Sequence, residues 1–111
     1  MEWRDAEDRA CAYLRSRGYL IVARNWRWRG GEVDIVAKDG ETIVFVEVKA
    51  RTGTRFGLPA EAVDRRKRGK LLAAARAFLG RDAGKVPIRF DIVSVLGRDI
   101  SHLRGAFGEG D

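Results

Sequence analysis

Three charged residues stand where charge is expensive. In the stretch EVDIVAKDGETIVFVEVK, residues 32–49, Asp34, Glu47 and Lys49 interrupt runs of valine and isoleucine that otherwise read as two buried β-strands. Ionised side chains are rarely buried unless paired or bound to a metal, because desolvating them is costly. Asp39-Gly40 between the runs is a hairpin signal, so the strands are expected to pair antiparallel. A two-residue turn there sets Lys38 opposite Glu41, Asp34 opposite Phe45 and Glu32 opposite Glu47. Side chains alternate along a strand, so Asp34, Phe45, Glu47 and Lys49 share one face, with Val33, Ile35, Ala37, Val44, Val46 and Val48 on the other. Asp34 and Glu47 are then diagonal neighbours within reach of one shared ion. Two carboxylates converging without a cation would repel until one took up a proton. Mg²⁺ or Mn²⁺, which prefer oxygen ligands, would remove that conflict.

The elements that must position these groups follow from the flanking pattern. WRDAEDRACAYLRSRG has the apolar spacing of a helix and stops at Gly18, a residue suited to a C-terminal cap. On a helical wheel Trp3, Ala10 and Leu14 form its apolar stripe, and Glu7 falls inside that stripe while Asp5, Asp8, Arg9 and Arg15 lie outside. A glutamate there can reach solvent from the margin or turn toward the acidic face of the hairpin; with Asp34 and Glu47 nearby, the second is expected. YLIVARN, residues 19–25, reads as a strand, and VPIRFDIVSVLG as another. PAEAVDRRKRGKLLAAARAFLG has the length and spacing of a second helix. The order helix, three strands, helix, strand predicts a mixed sheet with helices packed on it.

Composition bounds the function. A chain of 111 residues with 45% hydrophobic content supplies one compact core. We expect a single domain over residues 1–104 and a flexible, glycine-rich tail over 105–111. A formal charge of +6 favours a polyanionic partner, although a basic domain need not have one. One cysteine and one histidine exclude an intrachain disulfide and the usual Cys/His zinc site. The N-terminal residues carry no apolar signal segment, and no apolar run approaches the ~20 residues that span a bilayer, so a cytoplasmic protein with no membrane association is expected.

The helix glutamate followed by GEVD and VFVEVK resembles the PD-(D/E)XK nuclease superfamily, whose core sets an aspartate on one strand and Glu-x-Lys on the next. More closely, the chain is similar to the bacterial YraN-like family, itself similar to archaeal Holliday-junction resolvases. The similarity runs through AEDRACAYLRSRGYLIVARNWR, GGEVDIVAKDGETIVFVEVKAR, FGLPAEAV and RFDIVSV. It implies an α/β, restriction-endonuclease-like fold in which a mixed β-sheet is flanked by helices. It also implies Asp34 and Glu47 as ligands of Mg²⁺ or Mn²⁺, Lys49 as the catalytic lysine, and Glu7 as the first-helix glutamate of the resolvase branch. Val33 stands where the superfamily's name has proline.

The expected activity is therefore metal-dependent endonucleolytic hydrolysis of phosphodiesters in structured or branched DNA, with a homodimer as one way to present two sites. Arg51, Thr54 and Arg55 follow Lys49 and can meet phosphates beside the scissile bond; Arg65, Arg66 and Lys67 crowd the second helix, where they serve phosphate binding or merely a solvated face. Trp26 and Trp28 alternate with arginines, a pattern suited to stacking on bases, but packing on the hairpin as core is the stronger expectation. Asp91 is expected to pair with an arginine. Two other readings remain open: a non-catalytic nucleic-acid-binding module that keeps the nuclease fold, and a domain whose basic surface meets an acidic protein.

Overall fold

The computed structural model describes the backbone of residues 3–51 and 65–107 and the side chains of 5–50 and 68–106. Helix α1, Trp3–Ser16, is followed by strands β1, Leu20–Trp28, β2, Gly31–Asp39, and β3, Thr42–Arg51. Helix α2, Arg65–Leu79, a 3₁₀ turn, Gly80–Asp82, and strands β4, Ile88–Leu96, and β5, Asp99–Phe107, complete the described elements. The five strands form one sheet in chain order, antiparallel except for β3 and β4, which run parallel and are joined through α2. A mixed five-stranded sheet flanked by two helices is an α/β fold consistent with the restriction-endonuclease-like class.

Helix α1 ends where its sequence removes the penalty for reversing the chain. Gly18 takes φ +90°, its N–H donates to the Arg15 carbonyl at 3.0 Å, and the Tyr19 N–H reaches back to the Leu14 carbonyl at 3.0 Å. These two bonds are the Schellman pattern, which satisfies the last carbonyls of the helix. Ala6, Ala10, Cys11 and Leu14 are thereby laid on one face of the sheet against Ile35, Ala37, Val44, Val46, Val48, Val93 and Val95. The opposite face receives Ala74 and Ala75 of α2 on Val36, Phe45 and Phe90. Trp26 and Trp28 stack on each other and Trp26 meets Phe78 edge-on, so both tryptophans pack against this second cluster.

Three details differ from the sequence expectation. The loop of the β2–β3 hairpin is Gly40-Glu41, because Asp39 pairs with Thr42 and Lys38 with Ile43. Gly40 has φ +61° while Glu41 does not have a positive φ, as a turn with glycine at its first central position requires. The expected pairings of Asp34 with Phe45, Glu32 with Glu47 and Lys38 with Glu41 are thus corrected by two residues, an even slip that by itself keeps the alternation. Val33 nevertheless departs from its expected face, packing with Val36 and Phe45 while Ile35 and Ala37 pack on the other side. Strand β1 continues three residues further than YLIVARN. Strand β5 is additional, and it takes in residues 105–107, which the sequence reading assigns to a tail; Gly105 there donates its N–H to Asp91 at 3.0 Å.

Asp91 explains why β5 is held. Its fully buried carboxylate accepts hydrogen bonds from Arg89 Nε at 2.9 Å and Nη2 at 3.1 Å, and lies 2.7 Å from His102 Nε2. The expected arginine pairing is present, and His102 joins it. Burial alone would raise the Asp91 pKa, but the bonds from His102, Arg89 and the Gly105 N–H outweigh it and lower the value to about 2. Removing one partner of such a pair leaves the other charge buried. Asp91→Ala is therefore expected to cost about 3–5 kcal/mol in urea unfolding, and a loss below about 1 kcal/mol would refute this role. Because the folded pKa is depressed, the Asp91 contribution is full above about pH 4 and is lost as pH falls toward 2, so the variant should lack that part of the acid transition.

Candidate active site

Strands β2 and β3 part company at the acidic residues. The last paired residues in that direction are Ile35 and Val46, and one further step would bring Asp34 opposite Glu47. There the Asp34 side chain takes over the partner's role: Oδ2 accepts the Val48 N–H at 2.8 Å. On its other side, Asn25 falls between the pairs Arg24↔Ile35 and Trp26↔Val33 and adopts φ +50°, which asparagine tolerates better than most residues. Val33 and Ile35, two apart, consequently pack into the clusters on opposite sides of the sheet. The strands are thus distorted on both flanks of Asp34.

Beneath this distortion lies a cavity of about 190 Å³, lined by Asp34, Glu47, Glu32 and Trp28 together with Lys70 and Leu71 of α2. The Trp28 indole packs over the β1–β2 turn, where a Cβ on Gly30 would stand 2.6 Å from its Nε1. Glycine there lets the ring form a wall. Lys49 Nζ lies 3.2 Å from Glu47 Oε1, and both side chains are partly exposed, at 27% and 16%. Arg27 pairs with Glu32 at 3.5 Å on the rim.

Glu7 enters from α1. It is 2% exposed, and its Oε1 accepts Asn25 Nδ2 at 2.8 Å and Arg24 Nε at 3.2 Å. It therefore turns inward, and its charge acts on Asp34. Arg24 and Asn25 escape sequence reasoning, for which the only available signal is the left-handed tolerance of asparagine. Lys70 reaches the site from within a basic run whose periodicity does not single it out.

The electrostatics of Asp34 are the opposite of those at Asp91. Burial is the largest influence and raises its pKa; the Val48 N–H opposes this, but the charges of Glu47, Glu7 and Glu32 add to it, giving about 6. Two hard carboxylates on adjacent strands, one held uncomfortably ionised near neutrality, form a donor set that fits Mg²⁺ or Mn²⁺ with water completing the shell. Among the described residues no three His, Cys, Asp or Glu side chains are already gathered for a metal. The expected phosphate contacts at Thr54 and Arg55 lie outside the described residues, as do the side chains of Arg51, Arg65, Arg66 and Lys67. Their backbone positions are the last residue of β3 and the first turn of α2.

Comparison with known proteins supplies a family. Residues 6–95 match the profile described as "Uncharacterised protein family UPF0102". The chain is 43% identical over 105 residues to a UPF0102 protein of Persephonella marina, covering 94% of this chain and 90% of that relative. It is 46% identical over 108 residues to one of Ralstonia nicotianae, with 93% and 83% covered, and 42% identical over 109 residues to one of Pseudomonas putida, with 92% and 88% covered. No helix among the described residues is long and apolar enough to cross a membrane.

The sign of the Asp34 effect can be measured on stability. Its folded pKa is raised, so its favourable contribution is full below about pH 4 and lost as pH rises through about 6. After discounting for partial exposure, ionised Asp34 costs the fold on the order of 1–2 kcal/mol. Without added divalent metal, Asp34→Asn should melt higher than wild type near pH 7.5 and lose that advantage near pH 4. An identical difference at both pH values would remove the account.

Proposed function

The chain belongs to the uncharacterised protein family UPF0102, and from the site just described we propose that it is a metal-dependent endonuclease of the PD-(D/E)XK kind, acting on structured or branched DNA. The observation that carries this reading is the constellation itself. Asp34 and Glu47, on adjacent strands, line one cavity, and the Lys49 ammonium lies 3.2 Å from Glu47.

Each residue has a role suited to its chemistry. Asp34 and Glu47 would hold Mg²⁺ or Mn²⁺, which when bound polarises the phosphoryl group and lowers the pKa of a coordinated water. Lys49 orients the attacking water or meets negative charge growing on the phosphoryl oxygens. Glu7 is a positioning residue: anchored by Arg24 and Asn25, it keeps negative potential on Asp34 and so favours a cation there. The net charge of +6 supports a nucleic-acid partner, with Arg51, Thr54, Arg55, Arg65, Arg66 and Lys67 as candidate phosphate contacts. A homodimer would present two such sites to a branched substrate.

The test is a panel of single-stranded, duplex, flap and four-way DNA, incubated with and without Mg²⁺ or Mn²⁺. Cleavage should require the metal. Mn²⁺ titrated by calorimetry should bind wild type more tightly than Asp34→Asn or Glu47→Gln, and equal binding by all three would remove the metal site.

Lys49→Met separates chemistry from binding, since methionine keeps most of the length and removes the charge. It should leave DNA affinity nearly intact and cut the single-turnover rate about 10²-fold or more, as losing a preorganised electrostatic group does. A folded, metal-loaded variant that cuts at the wild-type rate would sink the catalytic role. A wild type that binds DNA and cuts nothing in the panel would favour the non-catalytic module.

A further inference from the structure

A second cavity, of about 500 Å³, opens at the other end of α1 and of the β2–β3 hairpin. Its walls come from α1 (Tyr13), the turn that follows it (Arg17), the β2 end (Asp39) and β5 (His102, Arg104). None of these residues belongs to the candidate active site. We propose that this cavity binds a phosphate monoester, with Arg17 and Arg104 gripping the anion above a floor made by Tyr13 and His102.

The floor is built and rigid. His102, with a side chain only 7% exposed, has Nε2 2.7 Å from the Asp91 carboxylate and Nδ1 3.3 Å from the Tyr13 hydroxyl. Tyr13 and Tyr19 both meet the imidazole edge-on, at 5.5 and 5.8 Å between ring centroids. Arg89 bonds the Tyr19 hydroxyl and pairs with Asp91 and Asp39, the last at 2.9 Å. Side chains locked in this way are already oriented before a ligand arrives.

The rim supplies charge that the fold leaves in excess. Arg17 and Arg104 line the cavity with Asp39, while Arg89 and Asp91 pair with each other behind it, so the group carries one more cation than anion. Arg89 is committed to the two carboxylates. Arg104 makes only a long 3.4 Å contact with Asp39 and is 63% exposed, and Arg17 lies 5.6 Å over the Tyr13 ring with no ion pair among the described residues. Two guanidiniums at the mouth and a phenol beneath them match an anion with several oxygens, since arginine binds phosphate by paired, charge-assisted bonds. The volume exceeds that of a bare phosphate ion, which points to an ester carried either by the end of a nucleic-acid strand or by a free mononucleotide.

The experiment compares a 5′-phosphorylated oligonucleotide, the same strand with a 5′-hydroxyl, and a nucleoside 5′-monophosphate, using the full chain without divalent metal. The phosphorylated strand should bind about tenfold or more tightly than its hydroxyl counterpart, the scale of one or two charge-assisted bonds. Arg17→Gln combined with Arg104→Gln should erase that difference while circular dichroism stays native, and Tyr13→Phe should reduce it. The monophosphate should shift the NMR signals of His102 and Tyr13. If it binds as tightly as the phosphorylated strand, the free nucleotide is the source; if only the strand binds, the nucleic-acid end is. Equal affinity for the two strands, with no shift at His102 from the monophosphate, would overturn the proposal. Asp34→Asn should retain the phosphate preference, so failure of the nuclease reading and failure of this one are distinguishable.

Discussion

Everything at the candidate active site depends on one substitution of bonds: a carboxylate takes the place of a neighbouring strand. A backbone N–H buried in a sheet must be paired, and the Val48 N–H finds the Asp34 side chain once β2 and β3 stop pairing beyond Ile35 and Val46. Because Asp34 satisfies that donor, the strands can diverge without leaving an orphan group. Their divergence opens the cavity, and the same bond fixes Asp34 beside Glu47. Structure and site are therefore built by a single contact, and the carboxylate that performs it is held ionised against its surroundings near neutrality.

The molecule sets two aspartates in contrasting environments. Asp91 is more deeply buried than Asp34, yet it is the more acidic, since Arg89, His102 and the Gly105 N–H converge on it. Asp34 receives one backbone bond and feels the negative charge of Glu47, Glu7 and Glu32. Burial penalises both; the difference lies in what compensates it. At Asp91 the compensation is internal and ties β5 to the sheet. At Asp34 it is incomplete, which is the condition under which an external cation has something to gain by binding.

Residue types and their alternation determined much of this protein. The mixed sheet, the parity that gathers Asp34, Glu47 and Lys49, the Gly18 stop of α1 and the inward position of Glu7 are all legible, because a period of two or 3.6 and a glycine cap are local properties. The two-residue error in the hairpin register did not invert the faces, since only an odd slip does so, but Val33 crossed to the side opposite Ile35 where the strand is distorted beside Asn25. The tertiary structure alone decided the rest. Whether Asp39-Gly40 or Gly40-Glu41 turns the chain is not set by side-chain alternation, because the two pairings differ by an even number of residues. That Asn25 would bend left-handed, that Lys70 of α2 would meet a cavity between β2 and β3, and that His102 would join Asp91 across β4 and β5 are long-range outcomes. No local pattern encodes them, because each depends on which elements become neighbours when the two clusters of apolar side chains close on the sheet.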